Sequence, residues 1–173
     1  MRTIRIAATA AAVTLAATGI ALAHVTLETK EAPADSYYKA AVRVGHGCEQ
    51  SPTIRVRVQI PDGVTAVKPQ PKPGWQLTTV IGKLAVPYDD GHGKMITEGV
   101  REVVWSGGRL LDEHYDEFWI RVKLPNTPGA TVYFPTVQEC EKGVHRWIEI
   151  PEAGKTRGDY KEPAPQLLLT PKL

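Results

Sequence analysis

Short runs in which apolar and polar residues alternate, separated by glycine and proline turns, restrict the fold of this chain more than any other feature. In residues 53–60 every second side chain is apolar, and Pro61-Asp62-Gly63 ends the run. Residues 117–124 repeat the pattern and end at Pro125-Asn126. A period of two is typical of a strand with one buried face. Weaker runs of the same kind occupy residues 24–29, 37–44, 75–81, 101–105, 131–134 and 144–150.

These eight runs, without a helical periodicity of useful length, predict an all-β chain that folds as an antiparallel β-sandwich or a small barrel. Alternation also indicates sheets with one solvated face, as antiparallel sheets have. The three prolines of residues 68–74 predict a stiff crossover between sheets. Residues 86–99 are polar and glycine-rich, which predicts a mobile loop, and residues 151–173 are expected to be extended.

The first 23 residues have the order of a secretory signal peptide. Arg2 and Arg5 precede an apolar segment at residues 6–20, and Ala21-Leu22-Ala23 has the small-x-small pattern of a cleavage site. Removing residues 1–23 leaves 150 of the 173 residues, the size of one domain. We therefore predict a signal peptide at 1–23, a domain at 24–165, a C-terminal tail at 166–173, and a periplasmic or secreted protein.

Cleavage also removes the net charge of the chain. The signal peptide contains two of the 21 lysines and arginines and no acidic residue. The mature chain would therefore have 19 basic and 19 acidic residues and a net charge of zero. A neutral chain gives no electrostatic reason to expect nucleic acid or an anionic membrane as a partner. No second apolar stretch approaches the ~20 residues that span a bilayer, so no membrane anchor is expected.

Two cysteines, Cys48 and Cys140, are present in a chain predicted to be exported. Oxidising compartments favour a disulfide between them. The alternative is a cysteine-based metal site. Neither cysteine belongs to a CxxC motif or has a histidine at zinc-ligand spacing.

The residue after the predicted cleavage site is His24. Its free α-amine and its imidazole Nδ1 would close one chelate ring on a metal ion, and both groups lose a proton near neutral pH. Such nitrogen donors, completed by oxygens in a plane, suit Cu(II), with zinc or nickel bound more weakly. The alternative is that histidine follows the cleavage site by chance.

An acidic and aromatic segment at residues 112–119 offers a second donor. In the strand predicted at 117–124, Glu117 and Trp119 share the face opposite the core-facing residues. An acid beside an aromatic ring suits the edge of a metal site, whereas a solvated strand end is the alternative. Near the C-terminus, Trp147 shares a strand face with His145 and Glu149, where it either joins a site or covers a sheet edge.

The other histidines, His46, His92 and His114, stand apart from candidate ligands in the sequence. His92 lies near two aspartates and Met95, so weak binding of a second ion is the most that is expected there. The chain contains no GxSxG, HExxH, P-loop or Rossmann glycine motif. We therefore predict that the protein is not an enzyme.

Several segments together resemble the YcnI-like family of exported copper-binding proteins. They are His24-Val25-Thr26-Leu27, Lys72-Pro73-Gly74-Trp75, Tyr115-Asp116-Glu117-Phe118, Tyr133-Phe134-Pro135-Thr136-Val137-Gln138, Cys140-Glu141-Lys142-Gly143 and Trp147-Ile148-Glu149-Ile150-Pro151. The resemblance implies a β-sandwich of cupredoxin- or immunoglobulin-like type. It also implies a Cu(II) site called a monohistidine brace, made by the amine and imidazole of an N-terminal histidine, a carboxylate and a nearby tryptophan.

Carried over to this chain, the brace consists of His24, Glu117 and Trp147, with Glu28, Asp116 and Trp119 as substitutes. The implied function is non-enzymatic storage, delivery or import of Cu(II), with a periplasmic copper chaperone or a membrane copper transporter as partner. Two alternatives are a copper-dependent redox enzyme, which needs an open coordination position, and an exported β-sandwich that binds other proteins without a metal.

Overall fold

The computed structural model describes residues 24–172, so the predicted signal peptide lies outside the described residues. Within that range the chain forms twelve strands and one short 3₁₀ helix, Arg157–Asp159. None of its helices is long and apolar enough to cross a bilayer. The strands are β1 Thr26–Leu27, β2 Glu31–Pro33, β3 Tyr37–Val44, β4 Thr53–Gln59, β5 Thr65–Pro69, β6 Gln76–Asp89, β7 Met95–Leu110, β8 Asp116–Lys123, β9 Thr131–Tyr133, β10 Thr136–Cys140, β11 Val144–Trp147 and β12 Gln166–Thr170.

Two main sheets form the sandwich. One has the strand order β1-β3-β8-β5 and the other β11-β10-β4-β7-β6, and all their pairings are antiparallel. A third sheet, β2-β12-β9, contains one parallel pair, β2 with β12. The predicted all-β sandwich is confirmed, and residues 70–74 cross from the first main sheet to the second as expected.

The core between the main sheets is built from alternate residues of their strands. On β8, Phe118, Ile120 and Val122 are fully buried. The ring of Phe118 packs edge-on against Trp105 of β7, with ring centroids 5.4 Å apart, and against Trp75 at 5.1 Å. These ring contacts cross the core between the two sheets. Since Phe118, Ile120 and Val122 point into the core, the residues of β8 that alternate with them point to the outer face.

The β6–β7 hairpin is much longer than the sequence predicts. Residues 86–99 were expected to be a loop, yet only residues 90–94 lie outside the two strands. Backbone pairing continues past the sandwich through Gly82 with Gly99 and Tyr88 with Ile96. Most side chains of this extension are exposed on both faces, so no apolar alternation marks these strands in the sequence.

The C-terminal segment is part of the fold. Residues 166–173 were expected to be a tail, but Gln166–Thr170 forms β12 between β2 and β9. Leu167 and Leu169 are buried in the common core. Leu167, Leu168 and Leu169 are consecutive apolar residues, so they lack the alternation that predicts the other strands.

The disulfide between Cys48 and Cys140 is confirmed. It joins the loop after β3, in one main sheet, to the end of β10, in the other. Both cysteines are buried.

Candidate metal centre

His24 lies immediately before β1, and contacts on two sides fix its position. Val25 and Leu27 are buried in the core, and Thr26 pairs with Arg43 of β3. From the C-terminal side, Nη2 of Arg157 donates a hydrogen bond to the carbonyl oxygen of Val25 at 3.0 Å. The segment that begins at His24 is therefore held by packing and hydrogen bonds.

The imidazole of His24 packs against Trp147. Their ring centroids are 5.4 Å apart and the rings are nearly perpendicular. Trp147 is buried, and its indole N–H donates to Oε1 of Gln138 at 3.0 Å. The amide nitrogen of Gln138 donates in turn to Thr53 Oγ1 and to the carbonyl oxygen of His46. Because the indole nitrogen is engaged in this network, Trp147 offers only its ring to the neighbouring histidine.

Glu117 faces outward from β8, as the alternation predicts, and forms an ion pair with Arg43. The guanidinium donates to Glu117 Oε1 at 2.9 and 3.1 Å. Thr26, Arg43 and Glu117 are aligned across three neighbouring strands, so the backbones of Thr26 and Glu117 lie about 10 Å apart. Glu28 approaches the same arginine at 3.9 Å. Both carboxylates therefore surround Arg43.

The other substitute residues are also paired with cations. Asp116 Oδ1 lies 2.6 Å from Lys72 Nζ, and the ammonium of Lys39 lies 3.5 Å from the centroid of the Trp119 ring. Of the residues that the sequence analysis selected, the structure brings together His24 and Trp147. Each candidate carboxylate lies next to a lysine or an arginine.

Two histidines that the sequence analysis did not assign to the site also lie around Trp147. The centroid of the His145 ring is 5.0 Å from that of Trp147, and the His46 ring is 6.4 Å away. The two imidazoles are 5.8 Å apart. One feature of the sequence could have predicted this contact. His46 comes two residues before Cys48, and its disulfide partner Cys140 ends the strand next to that of Trp147.

Glu162 anchors the imidazole of His145. Its Oε1 lies 2.7 Å from His145 Nδ1, and its Oε2 accepts the backbone N–H of Arg146 at 3.0 Å. Desolvation by burial acts to raise the pKa of Glu162, but the hydrogen bonds from His145 and Arg146 outweigh it, so the pKa is lowered. Glu162 is therefore a carboxylate at neutral pH.

His92 lies at the tip of the β6–β7 hairpin, where the nearby carboxylates cap turns. Asp90 Oδ1 accepts the backbone N–H groups of His92 and Lys94, and Asp89 Oδ1 accepts that of Gly91. Across residues 24–172, no three or more His, Cys, Asp and Glu side chains form a group that could hold a metal. A brace is not such a group, because one of its donors is the terminal amine.

The family model for a domain of unknown function, DUF1775, matches residues 24–169. This chain belongs to the DUF1775 family. It is the family that the sequence analysis named as YcnI-like. The DUF1775 match begins at His24, the first residue after the predicted cleavage site, and ends within β12.

A solved structure supports the fold of this DUF1775 chain. A crystal structure of an uncharacterized protein from Nocardia farcinica, described as having an immunoglobulin-like fold, is 24% identical to it with a TM-score of 0.63. The alignment covers 85% of this chain and 98% of that one. No curated protein matches.

Proposed function

We propose that the exported chain is a non-enzymatic Cu(II)-binding protein that holds the ion through the amine and imidazole of His24 for storage, delivery or import. The carrying observation is that His24 packs on Trp147 while β1 and Arg157 anchor the next residues. A chelating residue fixed in this way loses little conformational freedom on binding an ion, which favours affinity.

The donor chemistry fits Cu(II). An amine, an imidazole and a carboxylate are the nitrogen and oxygen donors that this ion prefers. Trp147 would cover one side of the ion with its ring, because its N–H is donated to Gln138. Glu117 is the proposed carboxylate, and it would exchange Arg43 for the metal. The bound ion would act as a Lewis acid that accepts the nitrogen lone pairs, and the carboxylate would neutralise part of its charge.

Titration of the mature chain with Cu(II) tests the brace. His24→Ala should weaken binding strongly, and so should a single alanine added before His24, because it removes the amine from the chelate ring. His92→Ala, at the exposed hairpin tip, is the matched control and should bind as the unsubstituted chain does. Electron paramagnetic resonance counts the nitrogen ligands. Equal affinity of the extended and native chains would rule out the brace.

Three carboxylate variants identify the oxygen ligand. If Glu117 binds copper, Glu117→Gln should weaken binding while Glu28→Gln leaves it unchanged. The reverse result would assign Glu28, and Asp116→Asn tests the remaining candidate. Because none of the three side chains belongs to the buried core, each substitution leaves the core intact.

A second candidate function, binding of another protein without a metal, is favoured by the β6–β7 hairpin. Four of its large apolar side chains are at least half exposed: Val80 at 50%, Ile81 at 59%, Val86 at 61% and Met95 at 57%. A ligand of the native state must raise the melting temperature. A melting temperature unaffected by copper would therefore favour this function. In the copper proposal, the partner is a periplasmic chaperone or a membrane copper transporter.

A further inference from the structure

We propose that His46 and His145 form a second binding site for a divalent transition-metal ion, using Nε2 of each imidazole. His46 lies in the loop after β3, and His145 lies on β11, so the two main sheets each supply one ligand. Their ring centroids are 5.8 Å apart, and both rings adjoin Trp147. The site does not need the terminal amine of His24.

The hydrogen bond of His145 leaves the correct nitrogen available. Oε1 of Glu162 lies 2.7 Å from Nδ1 of His145, and a carboxylate oxygen accepts hydrogen bonds, so we assign the proton to Nδ1 and the lone pair to Nε2. A histidine that donates its other N–H to a carboxylate is the common arrangement of metal-binding histidines. Glu162 is itself held by the backbone N–H of Arg146 and by its own N–H, which donates to Glu149.

His46 is prepared in the same way by a different acceptor. Its Nδ1 contacts the carbonyl oxygen of Gly47, which can only accept, so Nε2 again has the lone pair. Asp112 accepts the backbone N–H of Gly47 at 2.9 Å, and Gln138 donates to the carbonyl of His46 at 2.6 Å. The disulfide between Cys48 and Cys140 anchors the chain two residues after His46. Both imidazoles are thus oriented before any ion arrives.

The spacing permits one ion between the rings. An ion about 2.0–2.1 Å from Nε2 lies roughly 3.2 Å from the ring centroid, so two imidazoles on one ion have centroids at most about 6.4 Å apart. The observed 5.8 Å is within that limit. Across residues 24–172 no third His, Cys, Asp or Glu completes a group, so a bound ion would take its other ligands from solvent.

The donor type selects the class of ion. Two neutral imidazoles suit borderline divalent ions such as Cu(II) and Zn(II), whereas thiolate ligands that select Cu(I) are absent from this site because Cys48 and Cys140 are oxidised. Water in the open positions makes the ion exchangeable. The site is therefore suited to transfer of an ion.

Separate titrations with Zn(II) and Cu(II) test the site on the mature chain with one alanine added before His24, which disables the chelate of the first site. We expect one bound ion, seen as a change in tryptophan fluorescence, since Trp147 adjoins both rings. His46→Ala or His145→Ala should lower the affinity at least tenfold. His114→Ala, at an exposed position, is the matched control. Failure of the extended chain to bind, or unchanged affinity in both variants, would overturn the inference.

A measurement on the unsubstituted mature chain covers the case in which a variant misfolds. Long-range ¹H–¹⁵N spectra should show the Nδ1–H tautomer at His46 and His145, and Zn(II) should shift both imidazoles. Protonated Nε2 on either ring, or shifts confined to His24, would contradict the site. If the alanine extension abolishes all binding, the His24 brace is retained and this second site is eliminated. If binding does not depend on His24 at all, the brace is eliminated and the second site is retained.

Replacing Glu162, the carboxylate that contacts His145, should weaken metal binding without abolishing it. Glu162→Gln should lower the affinity about 10–100-fold, the usual cost of removing a carboxylate behind a metal-binding histidine. Glu152→Gln, in an exposed ion pair with Lys155, is the control. Unchanged affinity in Glu162→Gln would show that this carboxylate does not support an ion at His145.

Discussion

Removing the disulfide should destabilise the protein substantially, because Cys48 and Cys140 are 92 residues apart in the chain. Cross-linking residues this far apart lowers the conformational entropy of the unfolded chain, a stabilisation of about 4.6 kcal/mol at 25 °C in the chain-entropy model. For a domain of this size, that loss corresponds to a fall of roughly 9–18 °C in melting temperature.

The assay is urea unfolding of three forms: the oxidised protein, the reduced protein and the Cys48→Ala/Cys140→Ala variant. The alanine variant also loses the packing of two buried sulfur atoms, so it should be slightly less stable than the reduced protein. The urea dependence of the unfolding free energy should rise in both forms without the disulfide, since an uncrosslinked unfolded chain exposes more surface.

Losses below about 1 kcal/mol in both forms would refute the entropic reasoning. A large loss in the alanine variant alone would assign the effect to packing. If the loop of His46 is held chiefly by the disulfide, amide exchange in residues 45–51 should accelerate in the reduced protein before global unfolding does.

Three further perturbations test the core, the loop and one surface ion pair. Phe118→Ala should cost about 3–5 kcal/mol of unfolding free energy, because this fully buried ring contacts two tryptophans across the core. Gly47→Ala should lower the melting temperature, since its Cβ would lie 2.0 Å from a backbone oxygen, whereas Gly158→Ala, with 3.7 Å of clearance, should not. The hydrogen bond from Lys123 is the main cause that lowers the pKa of Asp35 to about 2. This pKa is below the unfolded value of about 3.9, so the pair stabilises the fold above that pH and its contribution disappears as the pH falls through 2. In an NMR titration, Lys123→Ala should raise the midpoint of Asp35.

Alternation predicted the strands in which every second residue is apolar and buried, and it missed β10, whose buried Thr136 and Gln138 are polar. Residues 53–60 and 117–124 match β4 and β8 within one residue at each end, because their apolar side chains fill the core. The extended β6–β7 hairpin did not obey this rule. Backbone hydrogen bonds maintain it where neither face is buried, and backbone pairing leaves no pattern in the side chains.

The candidate site was only partly predictable, since its residues come together through tertiary contacts. His24 was selected from the cleavage pattern, and Trp147 from resemblance to a family. The pairing of Glu117 with Arg43 depends on the register of β3 with β8, which the sequence leaves open. The contact of His46 with His145 depends on how two sheets pack.

The two ends of the described chain contact one another, and this sets an order of events during folding. The carbonyl oxygen of Val25 accepts a hydrogen bond from Arg157, and β2 pairs with β12, so the region after His24 reaches its final contacts only once the C-terminal region is in place. If a signal peptidase cuts before His24, as the sequence predicts, we expect it to act before these contacts form.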